Sequence, residues 1–438
     1  MADTTRCRGD EADEAGTPCL GASGGGMRAR RAPLDALMAC FGLGAWLGVN
    51  GLYVQLPLLV ERLPEGWALP ASMTVAVQLA NCGLLLYAVL RRALPRAPDS
   101  LYIYALLLVG ALALLLNAFL HPLTAPVGGG ERSVAFLSLT FFAGLVGCTS
   151  SVLFYPYLRH FRDVYLTTYL VGEGLSGFVP SALALAQGAG GEPACVPDAL
   201  NATLVPVYPP PRFDSTTFML LLAALAAISF LSFTMIDRYK GFESERVGAA
   251  AAAKSEEAEA APARLLSARW AGVLALVFVL NALTNGVLPS LQSYSCMPYG
   301  TRAYHLAATL GTMANPLACL AAVWLRPPSP RLLAALLAAA APPLAYIVVT
   351  AAASPQPPLQ HLPVGEVLVV SCWVAAAALV SYARLALYAW ARAGRAAGMR
   401  AAGAATQLGS AAGALLLYAL VNHTDALTQP DACAAPRS

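Results

Sequence analysis

The sequence is short of charge. Of its 438 residues only 12% are Asp, Glu, Lys or Arg, about half the fraction usual in a soluble domain and too little to cover the surface of a soluble protein this size. That scarcity excludes a cytosolic enzyme, a disordered scaffold and a nucleic-acid binder. With a net charge of +3, no polyanionic partner is implied. The ten cysteines form no CxxC pair and no Cys/His spacing, which argues against zinc and against a disulfide-rich secreted module. Acidic clusters that would cage a metal ion and Arg/Lys clusters that would hold a phosphate are missing too. No catalytic dyad sits in the apolar stretches, so neither an enzyme nor a resident cofactor is expected.

What is present is apolar length. Hydrophobic residues make up 58% of the chain and the mean hydropathy is +0.61. A bilayer core of ~30 Å needs ~20 apolar residues per helix. Eleven stretches meet that length, ten with at most one charged or histidine side chain and 364–391 with two, Glu366 and Arg384: 36–60, 67–90, 101–120, 133–158, 164–188, 215–236, 270–294, 303–325, 332–353, 364–391 and 401–421. They are Ala/Leu-rich and long, unlike the short alternating strands of a barrel. The expected class is therefore an all-α polytopic protein in the lipid bilayer, with eleven transmembrane helices.

Basic residues set the orientation. With the N-terminus in the cytoplasm, 21 Lys and Arg fall on the inner side and 5 on the outer, so the C-terminus should end outside. Asn201-Ala202-Thr203 is a glycosylation sequon in the longest outer loop, 189–214. A second sequon, Asn422-His423-Thr424, abuts the last helix and is too close to the membrane to be used. The expected organisation is a disordered cytoplasmic tail over 1–34, six helices in 35–236, a solvated cytoplasmic linker over 237–268, five helices in 269–421 and an outer tail over 422–438. Residues 1–31 lack an apolar core and form no signal peptide; Met27 is an alternative start.

Polar landmarks recur at one spacing. Asn285-Gly286 lies 235 residues after Asn50-Gly51. Asn315 follows Asn81, and Gln407 follows Glu173, by 234 each. Thr149-Ser150-Ser151 falls opposite the Ser381 region. Copies separated by six helices share one orientation, the pattern of major-facilitator-like transporters that bind substrate between their halves. The architecture expected is a 6+5 parallel repeat.

Polar groups inside a membrane are costly and mark either a pathway or a packing contact. The candidates are Asn50, Tyr53, Gln55, Gln78, Asn81, Thr149, Glu173, Asn281, Asn285, Gln292, His305, Asn315 and Gln407, accompanied by Thr284 and Tyr294. Each taken singly has a plainer reading as an interhelical hydrogen bond. As a group, neutral amides plus aromatic rings suit an uncharged, planar, hydrogen-bonding solute. Glu173 is the one carboxylate deep in a stretch, flanked by Gly172 and Gly174. An ionised carboxylate at the bilayer centre costs at least ~2.5–3.5 kcal/mol, so it should be protonated or hydrogen-bonded. Its role is either structural or that of a substrate or proton site. Glu366 reads as interfacial, and Arg384 should snorkel to the inner surface.

At these residues the sequence resembles the eukaryotic riboflavin transporters, solute carrier family 52. The resemblance is carried by Phe41-Gly42-Leu43-Gly44-Ala45-Trp46, Val49-Asn50-Gly51-Leu52, Gln55-Leu56-Pro57 and Leu63-Pro64-Glu65-Gly66-Trp67. It continues in Val171-Gly172-Glu173-Gly174-Leu175-Ser176-Gly177 and in Asn281 to Pro289, and on through Gln292, Ser295-Cys296, Ala303-Tyr304-His305 and Asn315-Pro316. The resemblance implies an eleven-helix plasma-membrane carrier of riboflavin, independent of sodium, with some members favoured by acid pH. The carrier is expected to work as a monomer by alternating access. The isoalloxazine ring would stack on Tyr or Trp, its imide edge pairing with carboxamides. Where some members have a cysteine in a Ser-Pro-Cys-Pro loop, this chain reads Ser354-Pro355-Gln356-Pro357. Cys433 thus lacks that partner, leaving Cys195 or Cys296. Two other readings stay open here: a carrier for another neutral planar solute such as a nucleoside or sugar, and a polytopic receptor, which the 6+5 count disfavours.

Overall fold

A chain in lipid must pair its own backbone N–H and C=O groups, and an apolar run does so as a helix. The computed structural model describes residues 31–191, 193–197, 204–246, 268–321, 329–393, 395–430 and 433. Its helices are α1 (Ala32–Leu43), α2 (Leu47–Leu59), α3 (Leu69–Leu79), α4 (Cys82–Ala93), α5 (Asp99–Leu120), α6 (Val134–Leu158), α7 (Asp163–Gln187) and α8 (Ser215–Arg238). After the linker follow α9 (Ala268–Ala282), α10 (Leu288–Cys296), α11 (Thr301–Ala321), α12 (Pro330–Ala352), α13 (Pro363–Ala393) and α14 (Arg395–His423). Among the described residues nine helical stretches are long and apolar enough to span a bilayer, and the bent pair α1–α2 makes a tenth. The stretch expected at 303–325 folds as α11 but is not among them; its described residues include Arg302, His305, Thr309, Thr312 and Asn315.

Three spans are broken, each for a local reason. α1 and α2 meet at 52°. There Ser229 of α8 puts its hydroxyl 3.0 Å from the Phe41 carbonyl, in the space a side chain at Gly44 would fill. A side chain inserted into the backbone ladder bends a helix. Between α3 and α4, Asn81 Nδ2 donates to the Gln78 carbonyl at 3.1 Å, competing for an acceptor that a regular helix would use. Between α9 and α10, Leu283–Val287 form a π turn. Pro289 at the start of α10 has no N–H, and its ring crowds the carbonyl of Asn285 four residues back; widening the turn relieves that clash.

Small residues let the helices approach. Gly42 meets the Tyr169 backbone and Gly172 the Ala39 backbone where α1 packs on α7, while Gly409 meets Phe278 and Gly413 meets Ala282 where α9 packs on α14. Glycine at such contacts is the usual route to close association in lipid. Between the two groups of helices, α11 packs on α2 and α7, and α3 packs on α10 and α14. The apolar core shows how they meet. One cluster joins residues of both groups, among them Trp67, Phe218, Tyr294, Tyr304 and Trp373. Away from that end the core divides: Phe41, Phe154, Tyr169 and Phe233 belong to a cluster of first-group residues, and Val277, Leu333, Val380 and Leu387 to one of second-group residues.

Two antiparallel hairpins lie outside the all-helical expectation. β1 (Ala125–Val127) pairs with β2 (Gly130–Arg132) across Gly128 and Gly129, whose φ of +65° and +88° suit glycine. β3 (Ala194–Pro197) pairs with β4 (Leu204–Val207). Cys195 on β3 is bonded to Cys433; Cys296, the alternative, is a buried free thiol. Asn201 lies outside the described residues, as do 1–30 of the tail and 247–267 of the linker.

Two of the first residues of that linker, Phe242 and Glu245, are buried, while Arg238, Tyr239, Lys240, Glu243, Ser244 and Arg246 around them are exposed. Lys240–Glu245 form a 3-10 turn held under the first group of helices. Glu245, only 2% exposed, pairs with Arg162 at 3.0 Å and with Arg31 at 3.3 Å and accepts from Tyr165 at 3.1 Å. Burial pushes its carboxyl up, but the bonds from Arg162 and Tyr165 and the charges of Arg162 and Arg31 prevail and hold it below the usual range.

Candidate functional site

The spacing of Trp46, Asn50 and Tyr53 puts them on one face of the bent first span. Asn50, half-buried, reaches α7 and donates through Nδ2 to Ser176 Oγ at 3.4 Å. Ser176 in turn donates to the Glu173 carbonyl at 2.6 Å. Glu173 is half-buried, and its carboxylate accepts from Tyr155 OH at 2.8 Å. This answers its expected need for a donor. Gly174 and Gly177 on the same turn face Pro316 and Thr312 of α11, so the first-half cluster abuts the second half. Tyr53 is tied to Thr74 at 2.8 Å.

The second half carries a longer chain of bonds. Asn285, in the π turn, donates to Ser410 Oγ at 3.0 Å and to Asn281 Oδ1 at 3.2 Å. Asn281 donates to the Val277 carbonyl at 2.7 Å and to Tyr388 OH at 3.1 Å, and Tyr388 pairs with Thr406 at 2.8 Å. Thr284 accepts from Arg384 Nη1 at 3.1 Å. The snorkelling expected of Arg384 is thus corrected: a mid-span hydroxyl acceptor holds it inside the bundle.

The remaining candidates divide. Gln78 and Asn81, half-buried, bond each other at 3.1 Å at the α3–α4 break. Gln292 and Gln407 are half-buried, and Asn315 is exposed on α11. Gln55, Thr149 and His305 point elsewhere. Gln55 is fully buried and donates to Gln187 at 2.6 Å. Thr149 is buried where α6 meets Gly83, its hydroxyl without a partner. His305 is buried with neither ring nitrogen hydrogen-bonded. Sequence reasoning passed over Tyr155, Ser176, Tyr388 and Ser410. The repeat spacing could have found two pairs, since Ser410 lies 234 residues after Ser176 and Tyr388 lies 233 after Tyr155.

One end of the bundle is sealed by contacts between the halves. Ser293 Oγ donates to the Trp67 carbonyl at 2.6 Å, and Thr301 donates to Glu61 at 2.6 Å. The Trp67 and Tyr294 rings meet edge to face at 5.9 Å, and the Trp67 amide donates to Gln429 at 2.9 Å. Beyond the Asn50–Glu173 and Asn281–Asn285 groups the apolar core is divided. The first polar group sits on helices that touch α11, and the second lies beside α14, which touches α3.

The family model described as "Solute carrier family 52, riboflavin transporter" matches residues 30–429. The chain is 38% identical to human solute carrier family 52, riboflavin transporter, member 3, over 91% of this chain and 98% of that protein. It is 37% identical to member 3-A of Danio rerio over the same shares. To human member 2 it is 37% identical, over 87% and 92%. Among solved structures, the nucleoside transporter NupG aligns with a TM-score of 0.54 at 10% identity, over 90% and 93% of the two chains. A D-xylose–proton symporter aligns with a TM-score of 0.51 at 13% identity, over 89% of each. These likenesses show a major-facilitator-like helical fold.

Proposed function

The chain belongs to solute carrier family 52, the riboflavin transporters, and from that premise we propose that it carries riboflavin across the plasma membrane into cells by alternating access. The observation that carries the reading is the family match over residues 30–429, a range containing every residue proposed for the site. Transport is independent of sodium and sensitive to pH, and the carrier works as a monomer. α11 counts as a span, giving eleven helices in a 6+5 parallel repeat. The two Asn–Ser bonds at near-equal spacing support that arrangement. The N-terminus is cytoplasmic, the C-terminus outside, and Asn201 is glycosylated.

In this orientation the sealed end, with Trp67 and Tyr294, faces outward and a cleft between the halves opens inward. Asn50, Tyr53, Gln78, Asn81, Glu173, Asn285, Gln292, Asn315 and Gln407 border it. Asn281 sets the angle of Asn285 from behind. Gln55, Thr149 and His305 support the walls. The isoalloxazine ring stacks against an aromatic ring of the wall while the amides take its polar edge. Uptake of radiolabelled riboflavin at two pH values, with and without sodium, tests the reading. Uptake that excess unlabelled riboflavin abolishes and excess nucleoside leaves intact supports it; the reverse assigns the cleft to a nucleoside.

A further inference from the structure

Hydrogen-bond accounting singles out one group in the second-half network. Asn285 spends both amide N–H groups on Ser410 and Asn281, and Asn281 spends both of its own on Val277 and Tyr388. These carboxamides have no donor left for a ligand. Arg384 differs. A guanidinium has five N–H donors and no acceptor, and Arg384 makes one hydrogen bond among the described residues, from Nη1 to Thr284. Its Nε is sequestered from solvent without a partner, and no carboxylate pairs with it among the described residues. The side chain is half-buried on α13, eight residues short of the end of its span at Arg392. α13 packs along α11. That helix brings Thr312 and Pro316 against the first half.

A cation at this depth is costly unless an acceptor meets it. Thr284 supplies one lone pair, which leaves the other donors idle. Resting on the riboflavin reading, we propose that Arg384 is a substrate-recognition residue, its guanidinium fork taking one of the two oxygen–nitrogen acceptor pairs of the isoalloxazine ring, C2=O with N1 or C4=O with N5. Adjacent acceptors match the planar fork, which a single ammonium cannot span. The pyrimidine end of the ring then points toward α9 and α11, and the dimethylbenzene end, which has no acceptor, points away. Riboflavin is recognised by a charge that neutral amides alone would not supply.

Sulfur in place of a carbonyl oxygen is a poor hydrogen-bond acceptor, so 2-thioriboflavin and 4-thioriboflavin probe the two edges. In wild type, one of them should compete for uptake about tenfold more weakly than riboflavin, the scale of one charge-assisted bond. Arg384→Met, normalised to surface protein, should weaken riboflavin by about tenfold and leave that thio analogue unchanged. Arg384→Lys should keep part of the discrimination. Lumiflavin, which lacks the ribityl chain, should lose as much as riboflavin in the Met variant; a loss confined to riboflavin would assign Arg384 to the ribityl chain and overturn the proposal. If wild type accepts both thio analogues as well as riboflavin, the proposal fails without recourse to any variant. Absence of riboflavin uptake by wild type is a different result and removes the transport reading itself.

Discussion

Asn285 donates its side-chain amide to Ser410 at 3.0 Å, joining the π turn to the last helix. The same pair of residue types makes the same bond in the first half, where Asn50 donates to Ser176 at 3.4 Å. Each asparagine is half-buried beside a glycine, Gly51 or Gly286, that lets another helix come close. Each half thus ties an asparagine of a broken span to a serine of a neighbouring helix.

The first prediction follows from those two bonds. Asn50→Ala and Asn285→Ala should each raise the apparent Km for riboflavin while surface expression persists. A lost hydrogen bond is worth ~0.5–1.5 kcal/mol, or roughly two- to tenfold in Km. Initial uptake rates against concentration check it, and normal kinetics in both variants would return the pair to packing.

Glu173 accepts from Tyr155 at 2.8 Å, and glutamine in its place keeps the shape and an acceptor oxygen. Glu173→Gln should therefore retain uptake but flatten its dependence on outside pH. Glu173→Ala should cut uptake about tenfold by leaving the Tyr155 hydroxyl unpaired. The readout is initial uptake from mildly acid to mildly alkaline pH. An unchanged profile in the Gln variant would remove the proton role.

The Glu245 ion pairs predict an acid-sensitive strap. Its carboxyl titrates below the ordinary range in the folded protein. Its stabilising contribution is therefore complete above the unfolded value and disappears as pH falls through the folded one. Arg31 and Arg162 are partly exposed, so screening keeps the effect to about 1 kcal/mol or less. Thermal unfolding in detergent should show a fall in Tm on acidification that Glu245→Gln lacks, and the variant should start lower at neutral pH. Equal acid sensitivity in both proteins would assign it to other groups.

The Cys195–Cys433 bond and the sequon at Asn201 bear on orientation together. Cys195→Ser and Cys433→Ser should each expose one thiol to a membrane-impermeant maleimide on intact cells, and the double variant none beyond background. Asn201→Gln should raise gel mobility by the mass of one glycan. Labelling that needs permeabilised cells would invert the assigned topology.

Much of the fold is legible because lipid enforces it: a run of ~20 apolar residues must close its own backbone bonds. The breaks within runs are less so. The α1–α2 bend depends on Ser229 meeting Gly44, a contact no local pattern reveals. Pro289 is a signal in the sequence for a disturbed helix, and the π turn is the form that disturbance takes. Spacing picked out Asn50 and Asn285, and each is bonded to a serine of another helix. Gln55 looked equivalent, yet its helix face is decided by Gln187, more than a hundred residues away. Arg384 misled because snorkelling considers only distance to the surface, whereas a hydroxyl one helix away was the nearer acceptor. Glu245 sat in a polar stretch that reads as solvated until Arg31 and Arg162 are brought to it.

The disulfide joins a hairpin of the first half to the chain beyond the last helix of the second. Cys433 lies ten residue steps beyond His423, and a chain that long can stretch to about 33–36 Å. In the sealed state that length is taken up, with Gln429 under Trp67 and Thr428 bonded to Ser354. When those bonds let go, the covalent link becomes a leash with slack. It leaves the two halves free to part at that end and sets how far they can go before the chain pulls taut.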